Sequence, residues 1–227
     1  MAGKAGRVAL AILLLFLAAY ESAQTLAQRY YYSSQTSPEM HVVTRSFDAR
    51  LRALDNAIAL GATWEMHHSR GRLFLDEAFK RHQEGDAAQR DARLGEAIAE
   101  LKRAAEMEPR ESDIYFDLAR AYLAYGFPIT PYRTQAIQAF REALARDPRD
   151  QSKLLAVAKY LLSQYPFLPP GDRRFAQEVT GRTMSDSPDQ IPSLATAWDK
   201  TGEKPQLLEP YILNPDALLR FRKLYRE

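Results

Sequence analysis

Apolar positions along this chain form three kinds of pattern. Residues 8–20, VALAILLLFLAAY, are apolar on every side. From residue 46 to about residue 188, apolar residues recur three and four positions apart, as in helices that bury one stripe. From 189 onward the pattern breaks up among prolines and Gly202, before a final amphipathic stretch, NPDALLRFRKLYRE. Every periodic segment reads as helix, so the expected fold is all-α.

One helical pattern is written twice. AIAELKRAAEMEP at 97–109 returns as AIQAFREALARDP at 136–148. Each copy has small residues at its first and eighth places and a bulky one, Leu101 or Phe140, at the fifth. Each ends on a proline, Pro109 or Pro148, which lacks the amide needed to continue a helix. Between the copies lies IYFDLARAYLAYG, where Tyr115, Leu118, Ala119 and Tyr122 take the i, i+3, i+4 and i+7 positions of a buried stripe. A helix pair cannot bury its apolar face alone, so self-similarity at such a period predicts stacked helical hairpins.

On these residues the chain resembles the tetratricopeptide-repeat family. That family's first helix carries an aromatic, Leu, a small residue and Tyr, as at Tyr115, Leu118, Ala119 and Tyr122. Its second helix carries Ala, an aromatic or Leu, Ala and then Pro, as at Ala136, Phe140, Ala143 and Pro148. Ala97, Leu101, Ala104 and Pro109 match the second helix of a preceding unit. Leu154, Val157, Ala158 and Leu161 match the first helix of a following one. The next second helix departs from the pattern: Ala176 and Pro188 stand in place, but Thr180 and Thr183 replace core residues. The first helix before Ala97, near RLFLDEAFKRH, is also off-pattern. The resemblance implies a short stack of two to three repeats that recruits other proteins. Its groove would be lined by first helices, with Tyr115, Arg120, Tyr122 and Lys159 as candidates to meet a partner.

The family's repeat is about 34 residues, whereas Pro109, Pro148 and Pro188 are 39 and 40 apart. The extra residues fall between the helices of each pair, in YGFPITPYR (125–133) and YPFLPPGDR (165–173). Tyr125, Phe127, Pro128, Pro131, Tyr132, Tyr165, Phe167 and Pro169 either cap their own hairpins or form an aromatic rim that docks a partner or a membrane surface.

The flanks complete the organisation. Lys4 and Arg7 precede the apolar run, in which Val8, Leu10, Ile12, Leu13, Leu14, Leu15, Phe16 and Leu17 are the anchor candidates. Thirteen residues of helix cover about 20 Å, short of a hydrocarbon core of roughly 30 Å. Ser22, Ala23, Thr25, Leu26 and Ala27 extend the span. A signal peptide fits the run length too, but no clean small-x-small cleavage site follows it. Residues 1–29 are therefore expected to form a single transmembrane helix preceding the repeats, with Lys4 and Arg7 keeping the N-terminus cytoplasmic. Residues 30–45 read as a juxtamembrane linker, with Tyr30, Tyr31 and Tyr32 as interfacial anchors. Residues 46–188 are the expected repeat domain, opening with a helix whose stripe is Phe47, Leu51, Leu54 and Ile58 and whose C-cap is Gly61. Residues 189–227 read as an irregular strap and a closing helix capped by Asn214. That helix either caps the stack or lies on anionic lipid or a partner.

Composition narrows the function. The 227 residues are 46% hydrophobic and 26% charged, with a formal net charge of +2 and no cysteine. That balance fits a folded protein and gives no basic surface for nucleic acid. Lack of cysteine excludes disulfides, thiolate metal sites and covalent haem attachment. His67 and His68 are adjacent, so on a helix they point about 100° apart. Glu65 and His68 have the spacing of half a di-iron site, but no second half exists. No phosphate-binding glycine loop or hydrolase signature is present. The expectation is a non-catalytic scaffold without metal, cofactor or small-molecule substrate. It would sit in a bacterial inner membrane with its repeats in the periplasm, as an accessory subunit bound to other protein subunits. A transient assembly factor and a secreted periplasmic binding protein are the alternatives.

Overall fold

The computed structural model describes residues 2–34, 46–126 and 130–225. Phe127 and Pro128 lie outside the described residues, as do the side chains of Val8 and Leu10. The chain divides into two compact units, Met1–Arg110 and Glu111–Glu227. That division falls inside the 46–188 stretch expected as one domain. All described regular structure is helical.

The first unit holds α1 (Ala2–Ser34), α2 (Phe47–Gly61), α3 (Trp64–Gln83) and α4 (Ala87–Met107), each packed on the next. The second half of α1 belongs to this core. Ala27 is fully buried with Ala57 and Met66, and Tyr30, Tyr31, Ile58 and Leu60 pack around them. Tyr30 and Tyr31 are thus packing residues of the first unit, not free linker aromatics, and α1 runs unbroken to Ser34. Arg50 Nε holds that end, donating to the Ser34 carbonyl at 2.9 Å. Ser46 caps α2, its Oγ accepting from the Ala49 amide at 3.3 Å.

Gly61 ends α2 without entering the left-handed region expected of a C-cap glycine. Its value is room: a Cβ there would lie 2.6 Å from Nε2 of Gln24 on α1. Gly71 does the same on α3, where a Cβ would meet Leu101 Cγ at 2.7 Å. The off-pattern third helix therefore carries its small residue exactly where the bulky fifth place of α4 beds down. Ala97, Leu101 and Ala104 are all fully buried.

The second unit holds α5 (Ser112–Ala124), α6 (Thr130–Arg146), α7 (Gln151–Ser163), α8 (Pro170–Asp186), α9 (Ile191–Asp199) and α10 (Pro215–Leu224). α5 pairs with α6 and α7 with α8, while α9 packs on α7, α8 and α10. On α6, Ala136 and Ala143 are fully buried either side of Phe140. The Phe140 ring lies 5.9 Å from both Phe116 and Tyr160.

Two expectations change here. Thr180 and Thr183 are fully buried, so α8 is core despite its polar wording. Thr183 satisfies its hydroxyl on the Val179 carbonyl at 2.7 Å. Beside them a Cβ on Gly181 would lie 2.4 Å from Tyr211 Cβ, and Ser185 Oγ accepts from the Leu213 amide at 2.8 Å. Small and polar residues on α8 let the 205–214 segment lie directly against it. The stretch expected as an irregular strap also contains α9, which buries Ile191, Leu194, Ala195 and Trp198. Asn214 caps α10, accepting from the amides of Asp216 and Ala217.

Candidate interaction site

The first half of α1 has the opposite character to the second. Ile12 through Leu17 are each 50–71% exposed, and Tyr20 is 64% exposed. Leucines and a phenylalanine point in every direction with no protein against them. Just beyond, Ser22 Oγ donates to the Ala18 carbonyl at 2.7 Å, and Thr25 Oγ1 to the Glu21 carbonyl at 2.9 Å. Back-bonding of this kind satisfies a hydroxyl without water. Among the described residues, no helix is long and apolar enough to cross a membrane.

The groove candidates lie on the second unit, and most are engaged. Tyr122 is buried in the α5 stripe. Arg146 places its guanidinium 3.8 Å from the Tyr115 ring centroid. Arg120 pairs with Asp117 at 2.9 Å. Lys159 is exposed and forms no ion pair among the described residues. Of the four, Lys159 alone offers an unengaged charged group.

The aromatic loops divide in the same way. Tyr125 stacks on Tyr132 with ring centroids 4.5 Å apart and planes 8° apart. Arg133 ties the two loops together, donating from Nη1 to the Phe167 carbonyl at 3.0 Å. Pro131 and Phe167 face outward, Phe167 at 57% exposure. Tyr165 goes the other way: it is buried edge-on against Trp198, and its hydroxyl accepts from Gln177 Nε2 at 2.8 Å. Burial raises its phenol pKa. Tyr165 therefore fastens its loop to the core and cannot line a rim.

Buried charges in both units are committed to one another. In the first, His67 Nδ1 meets Glu100 Oε2 at 2.7 Å, and Arg103 donates to Glu100 Oε1 at 3.1 Å. His68 lies parallel to the Trp64 ring, 6.3 Å away. In the second, Lys153 Nζ reaches Asp113 at 2.6 Å, Asp150 at 3.0 Å and Ser112 Oγ at 2.7 Å. Sequence reading missed this cluster. Only Asp147 and Asp150 are near Lys153 in sequence, and Ser112 and Asp113 come from α5. Among the described residues, no group of three or more His, Asp or Glu side chains is placed to hold a metal ion.

The arrangement offers two open chemistries: an all-round apolar helix end on the first unit, and exposed loops and lysines on the second. Compared with known proteins, the chain matches no family model and no curated protein.

Proposed function

We propose that the protein is a non-catalytic, membrane-attached scaffold that serves as an accessory subunit of a larger membrane protein complex. One observation carries this reading: α1 is a single helix that packs into the first unit through Ala27, Tyr30 and Tyr31, while its Ile12–Leu17 stretch is apolar all round and exposed. A helix hydrophobic on every side needs apolar surroundings on every side. Lipid supplies them, with Lys4 and Arg7 held at the cytoplasmic face and the folded units beyond the opposite one, in the periplasm of a bacterium. The apolar stretch is short for a bilayer, so lipid must thin around it or a partner helix must cover its far end. That need for cover favours a stable complex over a lone anchor.

Support for the scaffold half is the pairing of α5 with α6 and α7 with α8, on the small–bulky–small register of Ala136, Phe140 and Ala143. His67 is committed to Glu100, and Lys153 to Asp113 and Asp150, which leaves these charges to structure. A secreted form cut after Ala27 would lose a residue buried against Ala57 and Met66, whereas a cut after Ala19 leaves that packing intact and stays the alternative.

The test is purification of the C-terminally tagged chain from native membranes in mild detergent, with quantitative mass spectrometry of its companions. The expected result is a constant set of membrane proteins at fixed ratio. A lone chain from the membrane fraction contradicts the subunit reading and favours the transient adaptor.

A further inference from the structure

A cleft of about 650 Å³ opens between α7 and α9 in the second unit. Lys159, Ser163 and Pro166 line one side, and Thr196, Ala197 and Lys200 line the other. No acidic residue lines it. Lys159 and Lys200 are exposed, and neither has a carboxylate partner among the described residues. Most other basic side chains of this unit do have one: Arg120, Arg141, Arg146, Arg173, Arg174 and Arg222 all reach an acid. Asp199, next to Lys200, is taken by the Tyr225 hydroxyl at 2.8 Å. Two ammonium groups thus share one concave surface with no counter-charge, so the complementary ligand is an anion.

The hydroxyls specify more. Thr196 Oγ1 donates its proton to the Pro192 carbonyl at 2.9 Å, and Ser163 Oγ to the Tyr160 carbonyl at 2.7 Å. Ser163 also accepts a long bond from Gln164 at 3.4 Å. With their protons spent, both oxygens meet the cleft as acceptors. A bare inorganic anion has no donor to offer them. A ligand with both negative charge and hydroxyl donors satisfies Lys159, Lys200, Thr196 and Ser163 together, Ser193 on the α9 wall adds a hydroxyl that can donate to the anion, and Pro166 and Ala197 supply apolar surface for the C–H face of a ring. Arg173 Nη2 steadies the wall by donating to the Pro166 carbonyl at 3.2 Å. The cleft volume lies within the roughly 300–1,000 Å³ typical of small-molecule sites.

We infer that the α7–α9 cleft binds a small hydroxylated anion of the sugar-acid type, its carboxylate taken by Lys159 and Lys200 and its hydroxyls donating to Thr196 and Ser163. The inference stands on this cleft alone and is independent of membrane attachment.

Calorimetric titration of the full chain in mild detergent tests it, with sodium glucuronate, glucose, sodium sulfate and a hexaglutamate peptide as separate probes. Glucuronate is expected to bind at least about tenfold more tightly than glucose, which lacks the charge, or sulfate, which lacks the donors. Lys159→Gln and Lys200→Gln each weaken glucuronate by about tenfold, as loss of a charge-assisted bond should. Thr196→Val weakens glucuronate and leaves sulfate unchanged. No heat with glucuronate, equal affinity for sulfate, or tighter binding of the peptide overturns the assignment, and the wild-type chain alone yields all three comparisons.

Discussion

Asp113 near the start of α5, and Asp147 and Asp150 in the turn ahead of α7, converge on Lys153 Nζ at 2.6, 3.6 and 3.0 Å. Burial alone would lower the lysine pKa, but hydrogen bonds to Asp113 and Asp150 outweigh it and the net shift is upward. Asp150 moves the other way: the Lys153 backbone amide, then its ammonium, hold the carboxyl below its ordinary value despite partial burial. The consequences for stability have opposite signs. A raised lysine contributes fully below its unfolded pKa of about 10.4 and loses that contribution as pH climbs through the folded value. A depressed aspartate contributes above its unfolded pKa of about 3.9 and loses it as pH falls through the folded value. The second unit should therefore be most stable on a plateau between about pH 4 and pH 10. Lys153→Met is expected to cost about 1–2 kcal/mol at pH 7 and to flatten both flanks of the profile. Thermal unfolding followed by circular dichroism from pH 3 to 11 measures this, and superimposable profiles for the two proteins would count against the cluster.

At the scale of elements, α8 and the segment around Tyr211 meet closely at Gly181. A Cβ at Gly181 meets not only the Tyr211 side chain but its backbone, at 2.8 and 2.9 Å. At Gly71 the nearest atoms are Cγ and Cδ2 of Leu101 at 2.7 and 2.9 Å, a buried side chain that can yield only by repacking, with the Ala97 carbonyl oxygen farther off at 3.3 Å. Overpacking against backbone costs more than against a side chain that can repack, so Gly181→Ala should destabilise by about 2 kcal/mol. Gly71→Ala should cost less, because a side chain can repack where backbone cannot, while the gain in helix propensity of about 1 kcal/mol applies to both variants. Denaturant unfolding of the two variants side by side checks the order, and a larger loss at Gly71 would reverse the argument.

These elements also mark what the sequence can tell. α4, α5, α6 and α7 were legible because their stripes are local and periodic, and Asn214 because a cap needs only its own next residues. α9 was hidden by Pro192, Gly202 and Pro205, read as breakers. Yet Pro192 occupies the first turn, where a missing amide costs nothing. α8 looked like a lost core because its Gly181 and Ser185 take their partners, Tyr211 and Leu213, from a segment some thirty residues away. The two Tyr-x-Phe loops looked equivalent, but only Tyr165 has a Trp198 to pack against, whereas Tyr125 stacks on Tyr132. Likewise Lys159 was visible as a groove residue, while Lys200, which shares its cleft, lay in the stretch read as strap.

For the whole molecule, the decisive feature is that α1 has no break between its exposed apolar half and its buried half. A flexible linker would let the first unit drift from whatever holds the apolar residues. A continuous helix to Ser34 instead ties that unit to the same place. The net charge of +2 supplies little general attraction to anionic lipid, so the apolar residues must do the holding. Leu14→Arg/Phe16→Arg places two charges where the proposal puts lipid, each costing about 2.5–3.5 kcal/mol at a helix centre. Both residues are exposed and contribute nothing to the first unit's core, so its fold should survive the change. The most direct measurement is alkaline carbonate extraction of membranes carrying the wild-type or the double-arginine chain, with immunodetection in pellet and supernatant. The account predicts wild type in the pellet and the variant released with its melting temperature intact. Wild type in the supernatant, or a variant that stays in the pellet, would contradict it.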